Sequence, residues 1–154
     1  MTEAGLDDGL RAFLASHGFA DVNGDAGAGL TPLMQASLAG ECEVARALIA
    51  AGAKLDARNG DGNTALWLAC VGDHAAMVDA LAAAGIDLDS QNENGFTALM
   101  YAASAGKPAA LARLIAAGAN LALESQDGLT ALDLAASLEC LNLLRGRRGA
   151  RANG

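Results

Sequence analysis

Few residues in this chain carry an imidazole or a thiol, the side chains most often used in nucleophilic catalysis and transition-metal binding. They are His17, His74, Cys42, Cys70 and Cys140. Neither histidine has a second metal ligand at helical or turn spacing, so both are predicted to be structural. The cysteines are odd in number and far apart, and Cys70 lies in an alanine-rich stretch without nearby cations to activate a thiolate, so all three are interpreted as buried apolar residues. We predict no catalytic residue, no metal site and no cofactor.

Two other patterns resemble ligand-binding loops only superficially. The acidic stretch at 56–61, DARNGD, lacks the closing glutamate and the full ligand spacing of a calcium loop. The glycines stand singly at turns, whereas a phosphate-binding loop opens a helix with clustered glycines and a lysine. An enzyme or metal protein is therefore the least favoured of the functions considered.

Composition and charge indicate a folded protein. Of 154 residues, 53% are hydrophobic, 18% charged and 3% aromatic, which argues against disorder. No apolar stretch reaches the length of a membrane span, and the acidic N-terminus does not resemble a signal peptide, so we expect a cytoplasmic location. All 18 acidic residues but only six of the ten basic ones lie in residues 1–144, a net charge of −12. Because such a body repels phosphate backbones, we expect no nucleic-acid partner.

The strongest signal in the sequence is an internal repeat of 33 residues. Threonine recurs at 31, 64, 97 and 130, and other columns of the same period hold leucine, alanine or glycine. The aligned sets are Leu33, Leu66, Leu99 and Leu132; Ala36, Ala69, Ala102 and Ala135; Leu48, Leu81 and Leu114; Gly52, Gly85 and Gly118; and Leu55, Leu88 and Leu121. A fixed period of this length is typical of a stacked repeat array.

Each repeat unit predicts a pair of helices. The threonine is placed to cap a first helix, about residues 32–39 in the first unit, and Pro32 suits the first helical turn. Gly40 ends that helix, and a second helix is predicted over about residues 41–51, with Gly52 as its left-handed cap. Turn residues such as Asn59-Gly60-Asp61-Gly62 then lead into the next unit.

The pattern resembles the ankyrin repeat over about residues 20–145. The resemblance rests on the T-P-L-x-x-A core at Thr31–Ala36, the Gly-Ala pairs at 52–53 and 118–119, and the 33-residue period. It implies an all-α solenoid of stacked helix-turn-helix units with protruding turns and a concave face used for protein recognition. The family's usual histidine, three positions after the threonine, is replaced here by Met34, Trp67, Met100 and Asp133.

The two ends of the chain depart from the repeat, as the ends of a solenoid must. Residues 1–23 are predicted to be an N-terminal capping helix and turn, with an amphipathic helix over Glu3–His17. Four units are expected at about 26–58, 59–91, 92–124 and 125–145. The last is shortened because residues 137–144 enter its second helix early. Residues 146–154 are expected to form a mobile basic tail.

The repeat offsets also predict a partner-binding surface. Positions just before the threonine, in the preceding turn, and seven or eight residues after it should line the concave side. The binding candidates, including Tyr101 near Phe96, are Leu30, Leu38, Asp61, Asn63, Val71, Glu93, Asn94, Phe96, Tyr101, Ser104, Gln126, Asp127 and Leu129. The acidic ones favour a partner with a basic surface.

Phe96 is the strongest candidate, because aromatic residues dominate binding hot spots and its equivalent Asn63 is polar. The alternative is that Leu30, Leu129 and Trp67 simply pack on the next unit. We therefore predict a protein-binding adaptor or regulator that is monomeric alone. A self-associating homodimer that buries this face is the alternative function.

Overall fold

A computed structural model describes the backbone of residues 7–153 and the side chains of residues 7–146. Across that range the secondary structure is helical, with one leading helix before four helix pairs. The helices are α1 (Asp8–Ser16); α2 (Pro32–Ala39) and α3 (Cys42–Ala50); α4 (Ala65–Val71) and α5 (Ala75–Ala83); α6 (Ala98–Ser104) and α7 (Pro108–Ala117); and α8 (Ala131–Leu134) and α9 (Leu138–Asn153).

The helices form two layers. In the first layer α2, α4, α6 and α8 pack in sequence order, and in the second layer α1, α3, α5, α7 and α9 do the same. Each helix pair is one unit, and each unit packs on the next. The predicted all-α solenoid of stacked helix-turn-helix units is confirmed.

Threonine caps the first-layer helices as the sequence predicts, with one exception. The Thr31 hydroxyl accepts from the Met34 N–H at 3.2 Å, and the Thr97 hydroxyl accepts from the Met100 N–H at 3.1 Å. Thr130 and Asp133 form a complete capping box. Thr64 occupies the same position before α4, but its side chain makes no capping hydrogen bond.

The core coincides with the aligned columns of the repeat. Leu33, Leu66 and Leu99 are each 1% exposed, and the alanines three positions later are fully buried. Leu48, Leu81 and Leu114 from the second layer complete the same continuous core. The fourth unit differs, because Leu132 and Ala135 occupy the same columns but remain partly exposed.

The turns between units are joined by backbone hydrogen bonds. The Gly60 N–H donates to the Ala28 carbonyl at 2.7 Å, and the Gln126 N–H donates to the Asn94 carbonyl at 3.1 Å. In a third bond of the same kind, the Glu93 backbone N–H donates to the Asp61 carbonyl at 3.3 Å. Successive turns therefore form a ladder along one edge of the stack.

The ends are built differently from the middle. Helix α1 packs on α3, and it buries Leu10, Phe13 and Leu14. The predicted start of this helix, residues 3–6, lies outside the described residues. Helix α8 has only four residues, and α9 continues to Asn153, beyond the predicted end of the last unit at 145. The mobility predicted for residues 146–154 stays a prediction, because the side chains of residues 147–154 lie outside the described range.

Candidate functional site

Three aromatic side chains lie together between the second and third units. The ring of Trp67 is 4.7 Å from that of Tyr101 and 6.5 Å from that of Phe96, measured between centroids. All three rings are partly exposed. They line a groove of about 350 Å³, which we call the aromatic groove. The remaining lining residues are Asp61, Asn63, Asn92, Glu93 and Asn94.

Two helices and two turns position the rings. Trp67 lies in the first turn of α4, and Tyr101 lies on α6, the next helix of the first layer. Phe96 directly precedes Thr97, the residue that caps α6. Its backbone N–H donates to the Asn92 side chain at 3.0 Å, which closes the turn that holds the ring. Packing of α4 on α6 therefore brings the three rings together.

The charge in the aromatic groove is negative and uncompensated. Asp61 and Glu93 are exposed, and neither carboxylate has a hydrogen bond or ion pair within residues 7–146. The lining contains no lysine or arginine. The groove therefore offers two free carboxylates beside three aromatic faces.

Two polar groups on the rings are also unpartnered within the described part of the chain. Neither the Trp67 indole N–H nor the Tyr101 hydroxyl makes a hydrogen bond there. Burial, and to a lesser extent repulsion from Cys70 when that thiol ionises at high pH, raises the pKa of the Tyr101 phenol above its ordinary value of 10.0, so the hydroxyl carries its proton at physiological pH. These groups can bond to water or to a ligand, and the arrangement is suited to binding.

The structure places six of the thirteen predicted binding residues around the aromatic groove. They are Asp61, Asn63, Glu93, Asn94, Phe96 and Tyr101. The other seven lie outside its lining: Leu30, Leu38, Val71, Ser104, Gln126, Asp127 and Leu129. Among these, Leu38 and Leu129 are exposed, whereas Leu30 and Val71 are partly buried.

Asn63 is a correction to the sequence prediction. The repeat offset predicts a projecting side chain, but the residue is only 8% exposed and its Oδ1 accepts from the Asn92 side chain at 2.9 Å. A polar residue at this offset is therefore buried by a hydrogen bond to the next turn. It gives no support to the inference that Phe96 is free of packing, and Phe96 does pack partly against the core.

Gln126 and Ser104 also have structural roles. The Gln126 side-chain amide donates to the Glu93 carbonyl at 2.7 Å and reinforces the ladder between turns. The Ser104 hydroxyl donates to the Tyr101 carbonyl at 3.1 Å within α6. Because each side chain already donates a hydrogen bond within the protein, neither is fully available to contact a partner.

Sequence reasoning misses two members of the groove. It favours packing for Trp67, although this is the only one of the four residues in its column that carries a ring. It gives Asn92 no binding role. The spacing of 33 residues from Asn59, which closes the previous turn in the same way, is the signal that could have found it.

His74 and Cys70 both have structural surroundings. The His74 ring is held between units, with Nε2 donating to the Leu38 carbonyl at 3.0 Å, and Gly40 and Gly72 leave the space for it. Cys70 is fully buried, and this burial, with the nearby Asp73 charge, raises the pKa of its thiol to about 12. A thiol with that pKa is protonated and inert at neutral pH.

Cys42, in contrast to the prediction of burial, is partly exposed. Within the described residues no three side chains of histidine, cysteine, aspartate or glutamate come together as a metal site. No helix in that range is long and apolar enough to cross a membrane.

The stacked helix pairs, the ladder of turns and the exposed groove define a helical-repeat solenoid. Comparison with family models gives a match to ankyrin repeats (3 copies) over residues 2–92 and 76–153. The chain therefore belongs to the ankyrin repeat family. Ankyrin repeats are general protein–protein interaction modules, and the family is typically non-enzymatic. A comparison with individually curated proteins gave no match.

Proposed function

We propose that this protein is a cytoplasmic adaptor or regulator that binds a partner protein through its concave face, at the aromatic groove. The observation that carries the proposal is the partial exposure of three aromatic rings beside two carboxylates that form no ion pair within residues 7–146. Aromatic residues are enriched in binding hot spots, and exposed apolar surface with a polar rim is typical of interaction sites.

Charge supports a partner with a basic surface. Asp61 and Glu93 border the rings, and Asp127 is exposed on the next turn. A negative patch of this kind attracts a basic surface, speeds encounter and disfavours acidic partners. In this proposal the rings supply affinity and the turn carboxylates supply orientation.

Site-specific photo-cross-linking tests the proposal. A photoreactive amino acid at Asn94, in the aromatic groove, should capture a defined partner from the native cytoplasm. The matched control is the same group at Ala116, an exposed position on α7 in the second layer. Equal capture from both positions would place the binding surface elsewhere.

Self-association is the second candidate, and the exposed leucines of the fourth unit favour it. Leu129 is 39% exposed and Leu138 is 71% exposed. A second copy that covered them would give a homodimer. Light scattering at micromolar concentration separates the two functions. The proposed adaptor gives the mass of a monomer at every concentration, whereas a dimer gives a mass that rises with concentration.

A further inference from the structure

We propose that the aromatic groove holds one cationic side chain of the partner, the ammonium of a lysine or the guanidinium of an arginine. This inference rests on the proposed function and specifies what the partner must present. A cation is attracted to the face of an aromatic ring when it lies within about 6 Å of the ring centre, and tryptophan is the strongest of the aromatic residues in this interaction.

The ring geometry suits a single cation. Trp67 and Tyr101 have centroids 4.7 Å apart with planes inclined at 40°, and Phe96 meets Trp67 edge to face at 6.5 Å. With these separations, one cation over the Trp67 face is also near a second ring. The volume of about 350 Å³ accommodates a lysine or arginine side chain.

The carboxylates provide the charge complement. Asp61 and Glu93 line the same groove and have no intramolecular cation among the described residues. The Asn92 side-chain amide donates a hydrogen bond to the Asn63 side-chain oxygen, so these two polar lining residues already have a hydrogen-bond partner. A bound ammonium or guanidinium would therefore meet rings on one side and free carboxylates at the rim.

Comparison with the other units shows that the rings are not required for stacking. The same columns of the repeat hold aliphatic or polar residues elsewhere, and α2 packs on α4 although the first unit has no ring in any of the three columns. The equivalents are Met34, Met100 and Asp133 for Trp67; Leu30, Asn63 and Leu129 for Phe96; and Gln35, Leu68 and Leu134 for Tyr101. The aromatic cluster is a property of one interface between units, which favours recognition over packing.

The test uses fluorescently labelled nonapeptide pools that are degenerate except at the central residue. That residue is lysine, arginine, norleucine or citrulline, so that each cation has a neutral counterpart of similar shape. We expect the lysine or arginine pool to bind about tenfold tighter than its neutral counterpart. The preference should weaken as salt is raised, because the rim carboxylates are exposed.

Variants that copy other units isolate the rings. Trp67→Met and Phe96→Leu introduce residues that occupy these columns in neighbouring units, so both proteins should fold, as circular dichroism will show. Each should reduce the preference for the cation to less than about threefold. Glu93→Gln, which copies Gln126, should reduce it as well. Glu43→Gln removes one negative charge at an exposed position of α3, outside the groove lining, and should leave the preference for the cation unchanged.

Three results would overturn the inference. The first is equal binding of the lysine and norleucine pools and of the arginine and citrulline pools. The second is a preference that survives in Trp67→Met. The third is the absence of binding by every pool, together with no change in Trp67 fluorescence on titration with N-acetyl-arginine methylamide or N-acetyl-lysine methylamide. If any of these occurs while the cross-linker at Asn94 still captures a partner, the proposed function stands and only the cation site is rejected.

Discussion

Within residues 7–153, the third and fourth units begin with the same motif but are built differently, because in that range only the third has a further unit packed on its C-terminal side. Helix α6 has seven residues and is covered on both sides by α4 and α8, so Leu99 and Met100 are each 1% exposed. In the fourth unit, α8 has four residues and Leu132 is partly exposed. A repeat motif therefore specifies a buried helix only where a neighbour supplies the other face.

The early start of α9 has a local cause. The Ser137 hydroxyl accepts from the Cys140 N–H at 3.2 Å, so it caps α9 and fixes the beginning of that helix. The chain leaves the helical conformation at Ala135, where ψ is 120°. Measured from the preceding threonine, α9 begins three residues earlier than α7. Less chain remains for the first-layer helix, and Leu138 is left exposed.

The largest expected difference between the two units lies in their aligned leucines. Leu99→Ala should lower the free energy of unfolding by about 2–5 kcal/mol, because it removes a buried side chain and leaves a cavity. Leu132→Ala, at the same offset but partly exposed, should cost about 1 kcal/mol. Urea denaturation monitored by circular dichroism measures both. Equal losses would mean that the end unit is packed as tightly as the middle.

A second pair of substitutions tests the ladder between turns. Gly95 and Gly128 occupy equivalent turns with the same φ of 78°. A Cβ at Gly95 would lie 2.8 Å from the backbone nitrogen of Gln126, whereas a Cβ at Gly128 would have only the Glu124 carboxylate nearby, at 3.9 Å.

Gly128→Ala should therefore cost about 1 kcal/mol for the left-handed backbone alone. Gly95→Ala should cost roughly 2–4 kcal/mol, because the contact with the next turn adds to the same backbone strain. The shared φ makes each variant the control for the other. A difference near zero between the two losses would show that adjacent turns separate easily and that the ladder contributes little.

The sequence predicted the elements of the stack better than it predicted the surface. The 33-residue columns of leucine and alanine located the helices and the core, because each column repeats one packing environment. The same columns did not predict the burial of Asn63 or the partial exposure of Leu132. The burial of Asn63 depends on a partner 29 residues away, and the exposure of Leu132 depends on the absence of a further unit within the described stack.

The aromatic groove was only half predictable, for a related reason. Phe96, Tyr101 and the acidic turn residues were identified by their offsets. Trp67 was left out because it was expected to pack on the next unit, and the methionines in its column are indeed buried in the first and third units. The three rings meet only because α4 packs on α6, and the positions of residues along the chain do not give that distance.

Asp73 allows a smaller test of how neighbouring units are linked. It stands in the column of Gly40 and Gly106 and has a φ of 55°, in the left-handed region. Its carboxylate accepts from the Ala110 N–H at 3.1 Å, and thus caps α7 of the next unit. The strained position is therefore occupied by a residue that links two units.

Asp73→Ala should cost about 1–2 kcal/mol, because it loses the cap and places alanine in a left-handed conformation. Asp73→Gly should cost less, since glycine adopts this φ without strain and only the cap is lost. Asp73→Asn keeps an acceptor and should be the mildest of the three. Denaturation midpoints of the three variants give the order, and an alanine variant as stable as the glycine variant would show that the backbone is not strained here.

The smallest expected effect is the contribution of Cys70 to the pH dependence of stability. Burial and the Asp73 charge raise the pKa of its thiol from 9.0 to about 12. The folded protein therefore retains this proton when the unfolded chain has lost it. The resulting stabilisation is complete below pH 9 and is lost as the pH rises from 9 toward 12. Between pH 7.5 and 9.5 this one group should lower the free energy of unfolding by about 1 kcal/mol.

Cys70→Ala is the matched control, because the third unit has Ala103 in the same column and packs it fully buried. The difference in stability between the two proteins should change with pH over this range. Parallel profiles would show that Cys70 ionises as readily in the folded protein as in the unfolded chain, and that the middle of the stack admits water.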